Sequence, residues 1–381
     1  MKILVNPQTF NLQKHGGISR YYTEILSILS KNNIVQIPLY GTSNVYYNQS
    51  SLVTSRQKIY SLYIKLLLKF RIRNFEKTKR RNDKFFKRII LKRDFDIFIP
   101  TYYDINFLKH IESKPFVLTV YDMIYELFPE YFADENEAIS KIVSNKLFLM
   151  EKATRIIAVS ENTKRDIIKI YPNIDESKID VVYHGCSIKV NNDKIETLTE
   201  KYILFVGTRA NYENFNFLVS AVKELLKANP DLYLLCAGGG SFDYNEEKYL
   251  QELGLTSQII QINFKDDELG VYYKNAICFV FPSLYEGFGI PVLESMACGC
   301  PVVLANHSSF PEVAGDAGVY FELGNKEDLK NKIEQLINNP ILRDDFSLKG
   351  LNQVKKFSWE KASFECLNVY QKAIDSSRNN I

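Results

Sequence analysis

Short apolar runs alternate with helix-like segments from one end of this chain to the other. "KILVNP", "DIFIP", "PFVLTVYD", "RIIAVS" and "IDVVYHG" read as strands buried on both faces, each stopping at a polar or glycine-containing turn. After a polar stretch at 188–201 the pattern restarts with "YILFVGT", "LYLLCAGGG", "IIQINF", "ICFVFPS", "PVVLAN" and "GVYFE". Segments of helical period separate the runs, "ENFNFLVSAVKELLKAN" and "KEDLKNKIEQLINN" among them. This is βαβ grammar written twice, and it predicts a parallel sheet in each half. A chain of 381 residues is also too long for one ordinary core. The expectation is an α/β protein of two doubly wound, Rossmann-like domains facing each other across a cleft, 1–188 and 189–358, with a closing helical segment 359–381. The pattern alone leaves open which domain that last helix joins. Ligands in such sheets bind at the carboxyl ends of the strands.

Composition excludes several classes. Hydrophobic content of 46% and charged content of 24% are those of a folded globular protein. A net charge of +3 gives no whole-chain reason to bind nucleic acid. The six cysteines, at 186, 236, 278, 298, 300 and 366, form no CxxC pair and no zinc-spaced cluster with histidine. They are expected to be buried free thiols in a reducing compartment. No apolar run has the length of a membrane span, and the start "MKILVNP" lacks the apolar core of a signal peptide. The expected location is the cytoplasm.

One segment departs from this balance. Between Arg56 and Arg93 there are fifteen Lys and Arg against two acids, Glu76 and Asp83. Leu62, Ile64, Leu66, Leu67, Leu68, Phe70, Ile72 and Phe75 are interleaved with the bases. A basic amphipathic helix pair of this kind suits an anionic membrane surface, at about 1 kcal/mol per basic side chain near the lipid. The plainer alternative is a solvated face over an ordinary core helix. No stacking platform or nucleic-acid motif accompanies the charge.

The stretch "FPSLYEGFGIPVLESMACGCPVV", 281–303, carries the chemistry. A strand leads into the turn "LYEGFG", and Pro291 can sit in the first turn of a short helix ending at Gly299. Gly287 and Gly289 let backbone N–H groups approach a ligand closely. A helix N-terminus offers free N–H donors and a positive dipole end, which suits a diphosphate. Glu294, one turn into the helix, can accept hydrogen bonds from ribose hydroxyls, while Glu286 would lie nearer a reacting group. Taken alone, the same residues could be a capped strand–turn–helix with two surface acids.

They do not stand alone. "EGFGIPVLE", followed by "SMACGCPVV" and "FPEVAGDAGVYFE", resembles the donor site of family 4 glycosyltransferases of GT-B fold. "GGISRYYTEIL" resembles that family's glycine loop after the first strand, "ILFVGTRANYENFNFLVSAV" the opening of its second domain, and "FSWEKAS" the lead-in to its final helix. The resemblance implies transfer, with retention, of a hexose or deoxyhexose from a nucleotide-diphosphate sugar to a polysaccharide or lipid-linked acceptor hydroxyl. GDP-mannose-like donors come first and UDP-sugars second, and no metal or other cofactor is implied. The nucleotide would sit on the second domain and the acceptor on the first, with the last helix crossing back to the first. The implied donor-binding residues are Gly16, Gly17, Arg209, Asn214, Glu286, Gly287, Phe288, Gly289, Ile290 and Glu294. The implied catalytic set is Glu286, Arg209, Asp122 and Tyr121, so that Glu286→Gln or Arg209→Ala abolishes most transfer while leaving the fold intact.

Two positions depart from the family pattern. Glu213 stands where many relatives have Lys before Asn214, and Tyr121 precedes Asp122 where many have His. Ser160 reads as a helix N-cap with a partner near Thr163. His184 and His15 are weaker ligand candidates. A small soluble acceptor, or a weakened sugar-nucleotide binding protein, remain the alternative functions.

Overall fold

A computed structural model describes residues 1–55, 57–62, 75–189, 201–209, 211–264 and 268–379. The chain divides into two compact units, Met1–His184 with Trp359–Ile381, and Gly185–Ser358.

The first unit holds β1 (Lys2–Val5), β2 (Ile34–Gln36), β3 (Ile97–Ile99), β4 (Val117–Val120), β5 (Arg155–Ala158) and β6 (Ile179–Val181). Their spatial order is β2-β1-β3 and β4-β5-β6, every pairing parallel. A parallel bridge between Phe98 and Phe116 links the two sets. Five of these strands are the apolar runs of the sequence. β2 lies outside that pattern because it is an edge strand, with Ile34 and Gln36 exposed, and has no unbroken apolar run to announce it.

Strand alternation divides β1 between two cores. Ile3 and Val5 pack with Tyr21, Tyr22 and Ile25 of the helix Gly17–Leu29, and with Trp359, Cys366 and Tyr370 of the helix Trp359–Asn379. Leu4 points the other way, toward Phe98, Phe107, Leu149 and Met150. The final helix is thereby part of the first unit's core.

The second unit holds β7 (Lys201–Val206), β8 (Leu232–Ala237), β9 (Ile259–Ile262), β10 (Cys278–Phe281), β11 (Val302–Ala305) and β12 (Gly318–Phe321). The order is β12-β11-β10-β7-β8-β9, again all parallel. From β7 the chain adds β8 and β9 on one side, then returns to add β10, β11 and β12 on the other. The reversal lies between β7 and β10. In the first unit the same reversal lies between β1 and β3.

All six cysteines are free thiols; five are buried and Cys186 is half-buried. Burial pushes the Cys300 and Cys366 thiols up to about 12, so neither is a reactive thiolate. The described part of the basic segment includes the helix Phe75–Ile90. Lys79, Arg80, Arg81, Lys84, Lys87 and Arg88 are exposed along it, while Asn82 and Ile90 are buried. Asn82 Nδ2 donates to Asn11 Oδ1 at 2.8 Å and to Gly41 O at 3.1 Å, which fixes the inner face of this helix. The helix thus presents a basic face to solvent over a packed inner face, a geometry common to both readings. The rest of the expected helix pair, Arg56 and 63–74, lies outside the described residues. Among the described residues no helix is long and apolar enough to cross a membrane.

Candidate active site

At the β7/β10 reversal, two loops leave the carboxyl ends of neighbouring strands and are tied to each other. Leu284 N donates to Tyr212 O at 2.9 Å, and Asn214 Nδ2 donates to Pro282 O at 3.3 Å. Asn214 has φ 60, a left-handed conformation that Asn tolerates better than most residues, and it opens the helix Phe215–Ala228.

The loop after β10 is also held from its far side. Ser309, fully buried, donates through Oγ to Glu286 O at 2.9 Å and to Phe288 O at 3.0 Å. Glu286 N donates to Ser308 Oγ at 3.3 Å. Gly289 has φ +92 and begins the helix Ile290–Ala297, with Pro291 in its first turn. A Cβ on Gly289 would be strained by that φ and would press to 3.3 Å from the Phe310 ring, so the bend at the helix mouth requires glycine. Glu286 and Ile290 are half-buried, Gly287 and Phe288 are buried, and Glu294 is only 4% exposed. Sequence neighbours thus become a rigid turn ending at a helix N-terminus, with one acid before it and one a turn inside it.

Arg209, on the β7 loop, is engaged by its own unit. Its Nε donates to Glu246 Oε1 at 2.6 Å and its Nη1 to Gly238 O at 3.1 Å. Its Nη2 reaches Gly240 O and Ser241 O at 3.1 Å and Glu246 Oε2 at 3.2 Å. The Phe242 ring lies against the guanidinium, 4.8 Å from centroid to Cζ. Arg209 therefore pins the glycine turn after β8 to the loop after β7. Arg209→Ala is thus expected to lower stability as well as transfer, because the substitution strips a half-buried carboxylate and several carbonyls of their donor.

Glu213 lies on the same loop and is buried. Its Oε1 accepts from Thr208 Oγ1 at 2.7 Å, and its Oε2 has no hydrogen-bond partner among the described residues. Oε2 lies 2.9 Å from where a Cβ of Gly207 would stand. Burial raises the carboxyl from 4.5 to about 7, against the opposing pull of Thr208 and the Arg209 charge. The folded chain therefore holds this proton more tightly than the unfolded chain, and stability falls as pH rises from 4.5 through about 7. Glu213→Gln is expected to raise the melting temperature above pH 7 and to change it little near pH 4.5; the reverse order would contradict this assignment.

Gly16, Gly17, Tyr121 and Asp122 belong to the first unit. A Cβ on Gly16 would come within 2.5 Å of the Gln13 amide, whose Oε1 accepts from Ser19 N at 3.1 Å, whereas Gly17 faces open space. Tyr121 donates to Thr101 O at 3.3 Å and meets the Tyr21 and Tyr22 rings edge-on. Burial pushes its phenol well above the ordinary value, so it is no base. Asp122 Oδ1 accepts from Ile124 N at 3.1 Å, and Asp122 O accepts from Lys146 Nζ at 3.1 Å. His184 is packed between Tyr21 and Trp359, and burial lowers it to about 3, which keeps it neutral. His15 is exposed and edge-on to Tyr46, and Ser160 caps its helix by accepting from Thr163 N at 2.9 Å. Sequence reasoning passed over Glu246, Thr208, Ser308 and Ser309. Among the described residues no group of three or more His, Cys, Asp or Glu is placed to hold a metal ion.

Residues 16–190 match the model of glycosyltransferase family 4, and residues 166–353 match that of the glycosyl transferases group 1. The chain is a family 4 glycosyltransferase. This glycosyltransferase is 29% identical over 293 residues to the O-antigen chain mannosyltransferase B of Escherichia coli, across 73% of this chain and 75% of that one. Sucrose-phosphate synthase of Thermosynechococcus elongatus aligns with a TM-score of 0.73 at 16% identity, over 99% of this chain and 100% of its own. Anabaena HepE in complex with UDP-glucose aligns with a TM-score of 0.67 at 15% identity, over 100% of both chains. At such identities these neighbours speak for the fold, and the fold is GT-B.

Proposed function

We propose that this glycosyltransferase moves a hexose or deoxyhexose from a nucleotide-diphosphate sugar to a hydroxyl of a polysaccharide or lipid-linked acceptor, with retention at the anomeric carbon. The observation that carries the reading is the strapped turn Glu286–Gly289 feeding the N-terminus of the helix Ile290–Ala297 beside the β7 loop. A helix mouth of this kind, with its N–H groups fixed in advance, meets the charge that develops on a leaving diphosphate. Glu294 holds the ribose, the Phe288 and Gly289 amides meet the phosphates, and Glu286 faces the sugar. Arg209 acts through the loops it ties together and through its positive charge. In the transfer the anomeric carbon–phosphate oxygen bond breaks, a bond to the acceptor oxygen forms, and the acceptor proton passes to the departing phosphate.

The mannosyltransferase relative supports a mannose-type donor and a polysaccharide product. The neighbour bound to UDP-glucose supports a nucleotide sugar at this fold and keeps UDP donors second. Purified protein supplied with GDP-mannose or UDP-glucose and a lipid-linked glycan should form a glycoside whose anomeric configuration, read by NMR, equals the donor's. An inverted product, or a nucleotide sugar left unbound and unused, would reject the reading.

The basic segment belongs to the same proposal as a contact with the anionic inner face of the cytoplasmic membrane. The protein is expected to sediment with phosphatidylglycerol vesicles but not with phosphatidylcholine vesicles, and to be released at about 1 M salt, where charge is screened within about 3 Å. Equal binding to both vesicle types would remove the membrane contact.

A further inference from the structure

The loop after β7 carries an acid where a diphosphate calls for a cation. Glu213 stands at the position where the family pattern has Lys, and its neighbour Tyr212 ties this loop to the loop after β10 through Leu284 N. The side chain is packed inward and only 8% exposed. Its Oε1 accepts from Thr208 Oγ1 at 2.7 Å. Its Oε2 has no hydrogen-bond partner among the described residues and lies 2.9 Å from where a Cβ of Gly207 would stand, so the carboxyl fills the space that this glycine leaves. Because Oε2 is closed off, Glu213 can reach a ligand only through its charge.

Whether that charge exists depends on the surroundings. The charged groups on the elements joined to this loop are Arg209 on the loop itself, Glu246 on the helix after β8, Glu286 and Glu294 after β10, and His307 after β11. Arg209 is the cation that acts on Glu213, but its guanidinium is bonded to Glu246 and to the carbonyls of Gly238, Gly240 and Ser241. A buried carboxylate with one oxygen unmet and no cation bonded to it is costly, and a proton removes the charge. The rise of this carboxyl to about 7 agrees with that geometry. A diphosphate at the neighbouring helix mouth adds negative charge and favours the neutral acid further.

We propose that Glu213 sets the pH range in which the donor is held: the loop receives a nucleotide-diphosphate sugar with Glu213 neutral, so that above neutral pH the ligand enters together with one proton taken from solvent onto the Glu213 carboxylate. The inference rests on the donor site proposed above and adds its regulation. The sign follows from linkage. Below the carboxyl's free value both states are neutral and affinity is flat; between the free value and the higher value in the complex, affinity falls as pH rises.

The test is titration calorimetry of the intact protein with GDP-mannose and UDP-glucose at pH 6, 7 and 8. Their diphosphates are esterified at both ends and keep a constant charge over that range. Each titration is run in two buffers of different ionisation heat, which counts the protons taken up. The Kd of the sugar nucleotide that binds should rise about five- to tenfold from pH 6 to pH 8, with uptake near zero at pH 6 and approaching one proton at pH 8. Glu213→Gln keeps the acceptor for Thr208 and cannot ionise. It should bind at pH 8 about as tightly as the wild type at pH 6, with no proton uptake. His307→Gln should keep the wild-type pH dependence, and thermal melts identify variants that remain folded. A wild-type Kd that does not change with pH, a Glu213→Gln protein weakened by one factor at every pH, or a pH dependence abolished by His307→Gln would overturn the inference. Binding without proton uptake overturns it alone and leaves the donor site standing; no binding of either sugar nucleotide at any pH overturns both.

Discussion

Glu286→Gln is expected to lower transfer on the order of 10²–10³-fold while the melting temperature stays near that of the wild type, because it removes a charge where the reaction builds one. Its peptide N–H donates to Ser308 Oγ and its carbonyl accepts from Ser309 Oγ, and glutamine keeps both of these backbone bonds. Arg209→Ala should lose transfer by a similar factor, but for a mixed reason. It leaves Glu246 without its cation and Gly238, Gly240 and Ser241 without their donor, so a clear drop in melting temperature should accompany the loss. Transfer rate and melting curve measured on both variants separate the two roles. A stable, inactive Arg209→Ala protein would move Arg209 from tying loops to acting directly on the ligand. An active Glu286→Gln protein would remove Glu286 from the chemistry.

The largest effect on stability is expected in the first unit, at an ion pair remote from these loops in sequence. Lys146 and Glu126 meet at 2.9 Å with side chains 1% and 3% exposed. Lys146 Nζ also donates to Asp122 O and lies 5.3 Å from the Tyr103 ring centroid. Lys146→Met should cost about 3–5 kcal/mol, since it leaves a buried carboxylate unpaired. Replacing both partners, as in Lys146→Met with Glu126→Leu, should recover most of that loss, because the desolvation cost of the pair disappears with it. Urea unfolding midpoints measure both. A double variant no more stable than Lys146→Met alone would show that the lysine's contacts to the Asp122 carbonyl and the tyrosine rings matter more than its pairing with Glu126.

What the amino-acid sequence discloses follows from how far its signals reach. Eleven strands are legible because each is written as a short apolar run, most of them buried on both faces; β9, with Ile260 exposed, is legible by its run of isoleucines. β2 is not, because an edge strand of three residues with two exposed positions writes nothing distinctive. The glycine-rich turn and the acid one helical turn beyond it are legible because the nine consecutive positions 286–294 build that geometry. The parts that hold it are not. Ser309 reaches Glu286 across 23 positions and Arg209 reaches Glu246 across 37, and each partner alone reads as an ordinary loop or helix residue. Lys146 falls in a helix where a lysine is expected to face water; its burial follows only from Glu126 and the tyrosines that tertiary packing brings to it. The basic helix shows the converse limit. Its charge is plain in the sequence, but the buried Asn82 that ties it to Asn11 and Gly41 is not.

Hydrogen–deuterium exchange of the intact protein with and without GDP and UDP tests most directly whether the second unit's β7/β10 reversal grips a diphosphate. Binding should slow exchange in 207–214 and 282–294 with at least one of the two nucleotides, and Glu294→Ala should weaken that protection by about tenfold in nucleotide concentration. Protection confined to other segments, or none at saturating concentrations of either nucleotide, would contradict the account.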